Sequence, residues 1–311
     1  MTALPPLLVI AGPTATGKTG LAIEIARTLR TDGVPAEIIS ADSRQVFRGL
    51  DIGTAKATVS ERQGIPHHGL DLVDPDAAFS VADFAAHAAD VLPAIGTSGG
   101  LAILAGGTGF YLRAVARGLD MAALPFDPAV RRQIEAELLA SGVDRAADRL
   151  VAMAPSLAAG VDLRNPRRVA RALEIAELIG DRPRPAVRGY AAPVGWLALD
   201  VPADTHRRWI ETRARAQFET GLVEEARALR ERFDPALPAF TAIGYREAWA
   251  LLDGSLSREA AIELDAKRNV AFAKRQRTWF RRERDIAWLD PSVGDPLPAA
   301  MARARALLGD G

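Results

Sequence analysis

One stretch carries residue types suited to gripping a phosphate chain. Gly12-Pro13-Thr14-Ala15-Thr16-Gly17-Lys18-Thr19 places two glycines, a lysine and a hydroxyl in the order G-x-x-x-x-G-K-[ST]. Gly12 and Gly17 allow the backbone to wrap closely around an anion with its N–H groups turned inward. Lys18 adds a point charge, and the Thr19 hydroxyl can hold a magnesium ion. The flanking elements fit. Leu7 to Ala11 is an apolar run of strand length, and Leu21, Ile25 and Leu29, with Ala22 and Ala26, fall at helical spacing. Strand, loop and helix in this order predict a site for a di- or triphosphate, with a helix N-terminus aimed at it.

Other candidate groups follow further expected strands. Ala36 to Ser40 reads as a second strand, and Asp42 stands just past it in Ser40-Ala41-Asp42-Ser43-Arg44-Gln45. Ligands of open parallel sheets collect beyond the carboxyl ends of the strands, which puts Asp42 near the phosphate loop. A turn or helix-cap aspartate is the plainer reading of the same residue. Asp51 to Lys56 follows as a loop near the same site. Leu101 to Ala105 is the third clear strand, and it closes in Gly106-Gly107-Thr108-Gly109. A typical phosphate-loop ATPase would finish this strand with a metal-associated aspartate. The glycines and Thr108 read either as a flexible joint or as a small-residue wall that admits a ligand. His67 and His68, adjacent in an extended segment, point to opposite faces and lack a third partner at ligand spacing, so a structural role is expected.

The elements around these groups fall into two kinds. Ser80-Val81-Ala82-Asp83 predicts a capped helix start running towards Pro93. From about Met121 to Val194 helical periodicity dominates, through Val130, Ile134 and Leu138, then Val169, Leu173 and Ile175. The next strand is Trp196 to Leu199, followed by Asp200. A helical block between strands of one sheet predicts an insertion domain. It carries Arg164, Arg167, Arg168 and Arg171, spaced for one side of a helix, either as a solvated face or as phosphate contacts. Residues 204–232 read as helical with a break at Gly221. A last helix, about Arg258 to Arg284, carries Lys274, Arg275, Arg277, Arg281, Arg282 and Arg284, interleaved with Phe272, Trp279 and Phe280. Such a pattern suits a nucleic-acid backbone, or places the aromatics on the core face. The tail after Asp290 shows no informative pattern.

Composition sets outer bounds. The 311 residues include 49% hydrophobic and 25% charged positions, with Lys+Arg and Asp+Glu both at 39, so net charge signals no nucleic-acid partner. The lack of cysteine excludes a disulfide framework, a thiol nucleophile and a Cys-ligated zinc site, and fits a reducing compartment. The phosphate loop arrives too early for a signal peptide, and no apolar run has membrane-spanning length, so the cytoplasm is expected. Lys18, Lys56, Lys267 and Lys274 are the four lysines of an arginine-biased chain. Each is a candidate for a position that needs a compact ammonium.

Taken together, the ordered motifs resemble the bacterial tRNA dimethylallyltransferase (tRNA isopentenyltransferase) family over about residues 6–289. They are GPTATGKT at 12–19, SADSRQVFRGLDIGTAK at 40–56, PHHGLD at 66–71, FSVADF at 79–84 and GGTGFYL at 106–112. NPRRVARALE at 165–174, GLVEEARAL at 221–229, IGYREAW at 243–249 and AFAKRQRTWFR at 271–281 continue the series. Phe47 and Phe79 stand where the family often has tyrosine, and Gly69 replaces a usual hydrophobic residue.

The resemblance implies transfer of a dimethylallyl group from its diphosphate to the exocyclic amine of an adenosine beside the anticodon of a tRNA, with magnesium required. The expected fold is α/β, a P-loop NTPase-like parallel sheet flanked by helices, with an all-helical insertion domain. Residues 1–120 and 195–311 would form the catalytic core, and 121–194 the tRNA-binding insertion. Asp42 matches the family's general base, Thr108 the hydroxyl beside it, and Arg213 an arginine near the diphosphate, which Lys18 and the loop 12–19 hold. Ser43, Arg44, Gln45, Arg167, Arg168, Arg171, Gly244, Tyr245, Arg246, Lys274, Arg275 and Gln276 match tRNA-contacting positions, with Asp42 and Thr108 also against the tRNA. Thr19 is the metal position, and a monomer is expected. The target adenosine should flip into a channel between core and insertion, because single-stranded loop bases can be splayed out. A small-molecule or nucleotide kinase, a free-adenylate prenyltransferase and an RNA-binding ATPase are the rivals. The first has no use for the basic aromatic helix, the second none for the tRNA-facing segments, and the third would need a hydrolytic aspartate or a water-orienting residue that the sequence does not show.

Overall fold

The computed structural model describes residues 4–119, 125–182 and 187–309. The chain divides into two compact units, Met1–Arg117 with Tyr190–Gly311, and Gly118–Gly189. The expected boundary at 120/121 lies outside the described residues.

The larger unit is built on a parallel sheet. Its strands are β1 (Leu7–Ala11), β2 (Ala36–Ser40), β3 (His67–His68), β4 (Leu101–Ala105), β5 (Val194–Leu199) and β6 (Ile286–Leu289). Among the described residues they lie in the order β3-β2-β4-β1-β5-β6, every pair parallel. β1 is central and wholly buried, as its unbroken apolar run requires of a strand covered on both faces. Leu7, Val9 and Ala11 face one hydrophobic cluster, while Leu8 and Ile10 face the other. The second cluster is closed by α1 (Lys18–Thr31) and α11 (Leu297–Leu308). The first is closed by α2 (Val81–Thr97), α3 (Gly109–Ala116), α7 (Ala203–Glu219), α8 (Leu222–Arg232), α9 (Tyr245–Leu252) and α10 (Arg258–Phe280).

Several expectations need correction. The basic helix stops at Phe280 and is not the last, because β6 then completes the sheet edge and α11 covers its second face. The two-residue β3 forms the other edge. The helix from Ser80 passes through Pro93 to Thr97. Its capping box is formed as expected, with Ser80 accepting from Asp83 N–H and the Asp83 carboxylate accepting from Ser80 N–H. Gly221, at φ 116°, separates α7 from α8.

The smaller unit contains α4 (Pro128–Met153), α5 (Pro155–Ala158) and α6 (Pro166–Ile179). Ile134, Leu150, Val169 and Leu173 form its buried centre. Gly142, at φ 82° and ψ 168°, breaks α4 into two limbs. Glu174 is fully buried there. It accepts from Arg131 (Nε 2.9 Å, Nη2 2.5 Å), Arg171 Nη1 (2.7 Å) and Asp127 N–H (3.1 Å).

Candidate active site

The phosphate loop leaves the carboxyl end of β1 and delivers Lys18 at the first turn of α1. Gly12 lies at φ 140°, and a Cβ there would come within 2.5 Å of the Leu199 carbonyl oxygen on β5. Gly17, at φ 86°, caps α1 in the left-handed region that favours glycine. The loop is drawn inward on Pro13, whose carbonyl accepts from Thr16 Oγ1 at 2.9 Å and from Lys18 Nζ at 2.6 Å. Burial pulls the Lys18 ammonium down to about 8, with Arg213 adding to the pull and Asp42 opposing it. An anion in the loop would reverse that shift. Thr19 is exposed beside Lys18 on α1.

A second wall comes from the ends of β2 and β4. Ala41 N–H donates to Ala105 O (2.8 Å) and Thr108 N–H donates to Ala41 O (3.1 Å). A Cβ on Gly106 would sit 2.1 Å from that same Ala41 oxygen, so the glycine permits the close approach. Ser43 N–H donates to Thr108 Oγ1 at 3.0 Å, and the two hydroxyls lie 3.3 Å apart. Asp42 Oδ1 accepts from Arg44 N–H at 2.8 Å, so one carboxylate oxygen does the turn-forming work of the plainer reading. The Asp42 charge also acts on Lys18, Arg44, Tyr111 and Arg213, which brings loop, second strand end and α7 to one place.

Arg213 reaches this place from α7. Its Nη2 donates to Asn269 Oδ1 (3.2 Å), while its Nε is buried with no hydrogen-bond partner among the described residues. An orphaned guanidinium N–H is costly to bury, and an anionic ligand would relieve it. Asn269 Nδ2 in turn donates to Asp265 Oδ1 at 2.8 Å. Burial, with the neighbouring Glu247 carboxylate, pushes Asp265 up to about 6. Asp265 and Asn269 were missed in the sequence. Their signal is two polar residues at i, i+4 within the buried stripe 265, 269, 273, 276 and 280 of α10.

The expected tRNA-contacting residues divide by exposure. Arg167, Arg168, Arg246, Lys274 and Arg275 are exposed, and Ser43 and Arg44 are half-buried. Gln45, Tyr245 and Gln276 are buried and hydrogen-bonded inside the protein. Gln45 Oε1 accepts from Ser40 Oγ (2.8 Å) while its Nε2 donates to Thr54 O (3.0 Å). Tyr245 OH donates to Glu225 Oε1 (2.7 Å). Gln276 Nε2 donates to Gly107 O (2.9 Å), and its Oε1 accepts from Thr14 N–H (2.8 Å). Gly244, at φ 109°, is a buried helix cap whose N–H donates to Glu247 Oε2 (2.9 Å). Arg171 is tied to Glu174 and to Pro125 O (2.8 Å), and Arg164 precedes α6. Those two therefore do not extend a free arginine row along the helix.

Of the lysines, Lys56 fulfils the compact-ammonium reading. Its buried Nζ donates to Phe47 O (3.0 Å), Asp51 Oδ1 (2.6 Å) and Asp71 Oδ1 (2.6 Å). Lys267 and Lys274 are exposed. His68 Nε2 pairs with Glu37 Oε2 (2.7 Å) and His67 Nδ1 with Ile65 O (2.8 Å). Among the described residues no group of three or more His, Cys, Asp or Glu could hold a metal ion, and no helix is long and apolar enough to cross a membrane.

Comparison with known proteins bears on this geometry. The profile of the family described as IPP transferase matches residues 45–283. A tRNA dimethylallyltransferase of Anaeromyxobacter sp. (strain K) is 46% identical over 291 residues, covering 92% of this chain and 93% of its own length. The crystal structure of the full-length tRNA isopentenylpyrophosphate transferase from Bacillus halodurans is similar with a TM-score of 0.70 at 36% identity, covering 98% of this chain and 96% of that one. A eukaryotic dimethylallyltransferase, captured in crystallographic snapshots of its action on tRNA, gives a TM-score of 0.77 at 25% identity, covering 98% and 79%.

Proposed function

We propose the function of this chain from one premise: it belongs to the IPP transferase family. It is a prenyltransferase that moves a dimethylallyl group from dimethylallyl diphosphate to the N6 amine of the adenosine on the 3′ side of the anticodon in tRNA. One observation carries the chemistry. The phosphate loop faces a strand end built of Gly106, Gly107 and Thr108, while the nearby carboxylate, Asp42, sits within the electrostatic reach of Lys18 and Arg213. That arrangement suits a leaving diphosphate and an incoming amine better than an activated water.

The bond between the dimethylallyl carbon and the diphosphate oxygen breaks as the bond from N6 to that carbon forms. Charge accumulates on the leaving oxygens, where loop amides, Lys18 and the orphaned Arg213 Nε–H meet it. The amine must lose a proton, and Asp42 accepts it, a contribution of about 10²–10⁴-fold. Thr108 and Ser43 hold the end of that strand beside Asp42. Magnesium fits the donor set, because this cation binds through few protein oxygens together with substrate phosphates and waters. Thr19 Oγ1 is the group that would hold it, where it would neutralise diphosphate charge.

The tRNA assignment extends to exposed arginines. Arg167 and Arg168 on the smaller unit, with Lys274, Arg275 and Arg246 on the larger, are the cations we assign to the anticodon stem-loop backbone. The test incubates the protein with radiolabelled dimethylallyl diphosphate, magnesium and unmodified tRNA, and separately with ATP. Label should pass to tRNA and not to free adenylate. Phosphoryl transfer from ATP, or rapid ATP hydrolysis without label transfer, would overturn the reading in favour of a kinase or an RNA-dependent ATPase.

A further inference from the structure

The phosphate loop is gripped at one residue by groups distant in sequence. Thr14 N–H donates to Gln276 Oε1 at 2.8 Å, and Thr14 O lies 2.8 Å from His206 Nε2. Behind His206, Arg277 Nη2 lies 2.9 Å from Nδ1, and Arg277 Nε donates to Asp200 Oδ1 (2.7 Å) and Oδ2 (2.9 Å). The chemistry of the partners assigns every proton. A carbonyl only accepts, so His206 Nε2 carries hydrogen. A guanidinium only donates, so Nδ1 presents a lone pair and the ring is neutral. Burial favours that state by pulling the imidazole below its usual range. The Gln276 amide is oriented by the same logic, since its other end donates to Gly107 O (2.9 Å).

This grip has a geometric consequence. The trans peptide is planar, so fixing Thr14 O towards His206 sends the Ala15 N–H the opposite way. Ala15 lies at φ 61°, a left-handed conformation unusual for alanine, and its N–H donates to no protein acceptor among the described residues. Gln276 joins the loop to the Gly107 turn that carries Thr108, so one amide spaces the two walls of the site.

We propose that His206 and Gln276, with Arg277 and Asp200 behind His206, are positioning residues that preset the phosphate loop for the diphosphate of the prenyl donor. The inference rests on the prenyl-transfer reading of the site. Adjacent residues of α10 then have separate tasks: Lys274 and Arg275 face solvent, whereas Gln276 and Arg277 turn inward to the loop.

The test compares His206→Met, which keeps bulk and loses both hydrogen bonds, with His206→Gln, whose amide offers a donor and an acceptor at similar separation. Titration calorimetry with inorganic diphosphate and magnesium reads the loop directly, and steady-state kinetics read the donor KM. His206→Met should weaken diphosphate binding and raise donor KM by about 10-fold or more, with His206→Gln restoring both to within about threefold of the parent. Affinity for tRNA should be unchanged in both. Gln276→Met should repeat the His206→Met result, and it decides the matter if His206→Met does not fold. Diphosphate affinity equal to the parent in His206→Met and Gln276→Met would overturn the proposal. So would a His206→Gln protein as defective as His206→Met, or an equal loss of tRNA affinity. Because diphosphate binding is measured without tRNA, a parent protein that binds diphosphate yet fails to prenylate tRNA would sink the proposed function and leave the clamp standing.

Discussion

Each unit buries a carboxylate against arginines, and the two do it differently. In the smaller unit Glu174 accepts from Arg131, Arg171 and the Asp127 N–H, which leaves neither oxygen without a donor. In the larger unit Asp265 accepts one hydrogen bond from Asn269, and its neighbours include a second carboxylate, Glu247. Arg268, which could have served it, is paired with Glu247. Arg213, which also acts on it, points a buried Nε at no protein group among the described residues. A closed ion cluster organises a small helical core. An open one leaves a buried cation with less of its charge neutralised internally, and on the proposed reading that cation serves the diphosphate.

The sharpest way to break this contrast lies at the open site. Asp42→Asn keeps shape and the hydrogen bond to Arg44 N–H but cannot take a proton. Its single-turnover rate should fall by about 10²-fold or more, with tRNA affinity changed far less. Near-normal chemistry in this variant would reduce Asp42 to the turn residue that its Oδ1 contact already makes it. The closed site should respond in stability instead. Glu174→Ala removes the acceptor that Arg131 and Arg171 share and should cost about 2–3 kcal/mol in denaturant unfolding, below the full value for a buried pair because both arginines reach solvent. The diphosphate affinity of the folded variant should match the parent, and a large loss of it would make the closed cluster part of the site.

A smaller effect separates the tied arginine of α6 from the exposed ones. Arg167→Glu with Arg168→Glu should weaken tRNA binding and lower the slope of log K against log salt by about one unit for each phosphate no longer neutralised. Stability should stay near the parent, since the side chains of both residues lie on the exposed face. If salt slope and affinity hold, these arginines are a solvated surface, and the contrast between units is one of packing alone.

How much of this could be read from the sequence follows the same division between apolar runs and polar partners. β1, β4 and β5 announced themselves because strands buried on both faces are unbroken apolar runs, and β2 did so through Ile38 and Ile39 between Glu37 and Ser40. The edges did not. β3 has two residues, and Ala287 and Trp288 of β6 are exposed. α11 was hidden because its buried stripe is Ala300, Met301 and Ala304, two alanines and a single large apolar residue in an Ala-rich tail. At the site, Lys18 and Asp42 were visible because loop and strand-end chemistry is local. The family resemblance marks Gln276 with Lys274 and Arg275 as tRNA-contacting, and a turn of about 100° per residue carries its side chain to the buried face of the helix, where it meets Thr14 and Gly107. The stripe of Asn269, Ala273, Gln276 and Phe280 was the available clue. The partnership of His206 with Thr14 has no sequence signature, because it joins residues brought close only by the fold.

The mildest prediction tests whether the open cluster is as under-compensated as its geometry indicates. Asp265 has its folded value raised to about 6 against an ordinary 3.8, so the folded state binds this proton more tightly than the unfolded chain. The sign follows from linkage. Stability contributed by the group is greatest below pH 4, falls as pH rises through the interval from about 4 to 6, and is level above it. Asp265→Asn removes the titration while retaining an oxygen to accept from Asn269 Nδ2. Other carboxylates titrate in both proteins, so the difference between parent and variant isolates this one. Unfolding free energies measured from pH 4 to 7.5 should therefore shift in favour of the variant as pH rises, by at most about 3 kcal/mol. A difference that stays constant across the range would mean that Asp265 is charged throughout and fully served by Arg213. The larger unit would then hold its carboxylate as the smaller one does.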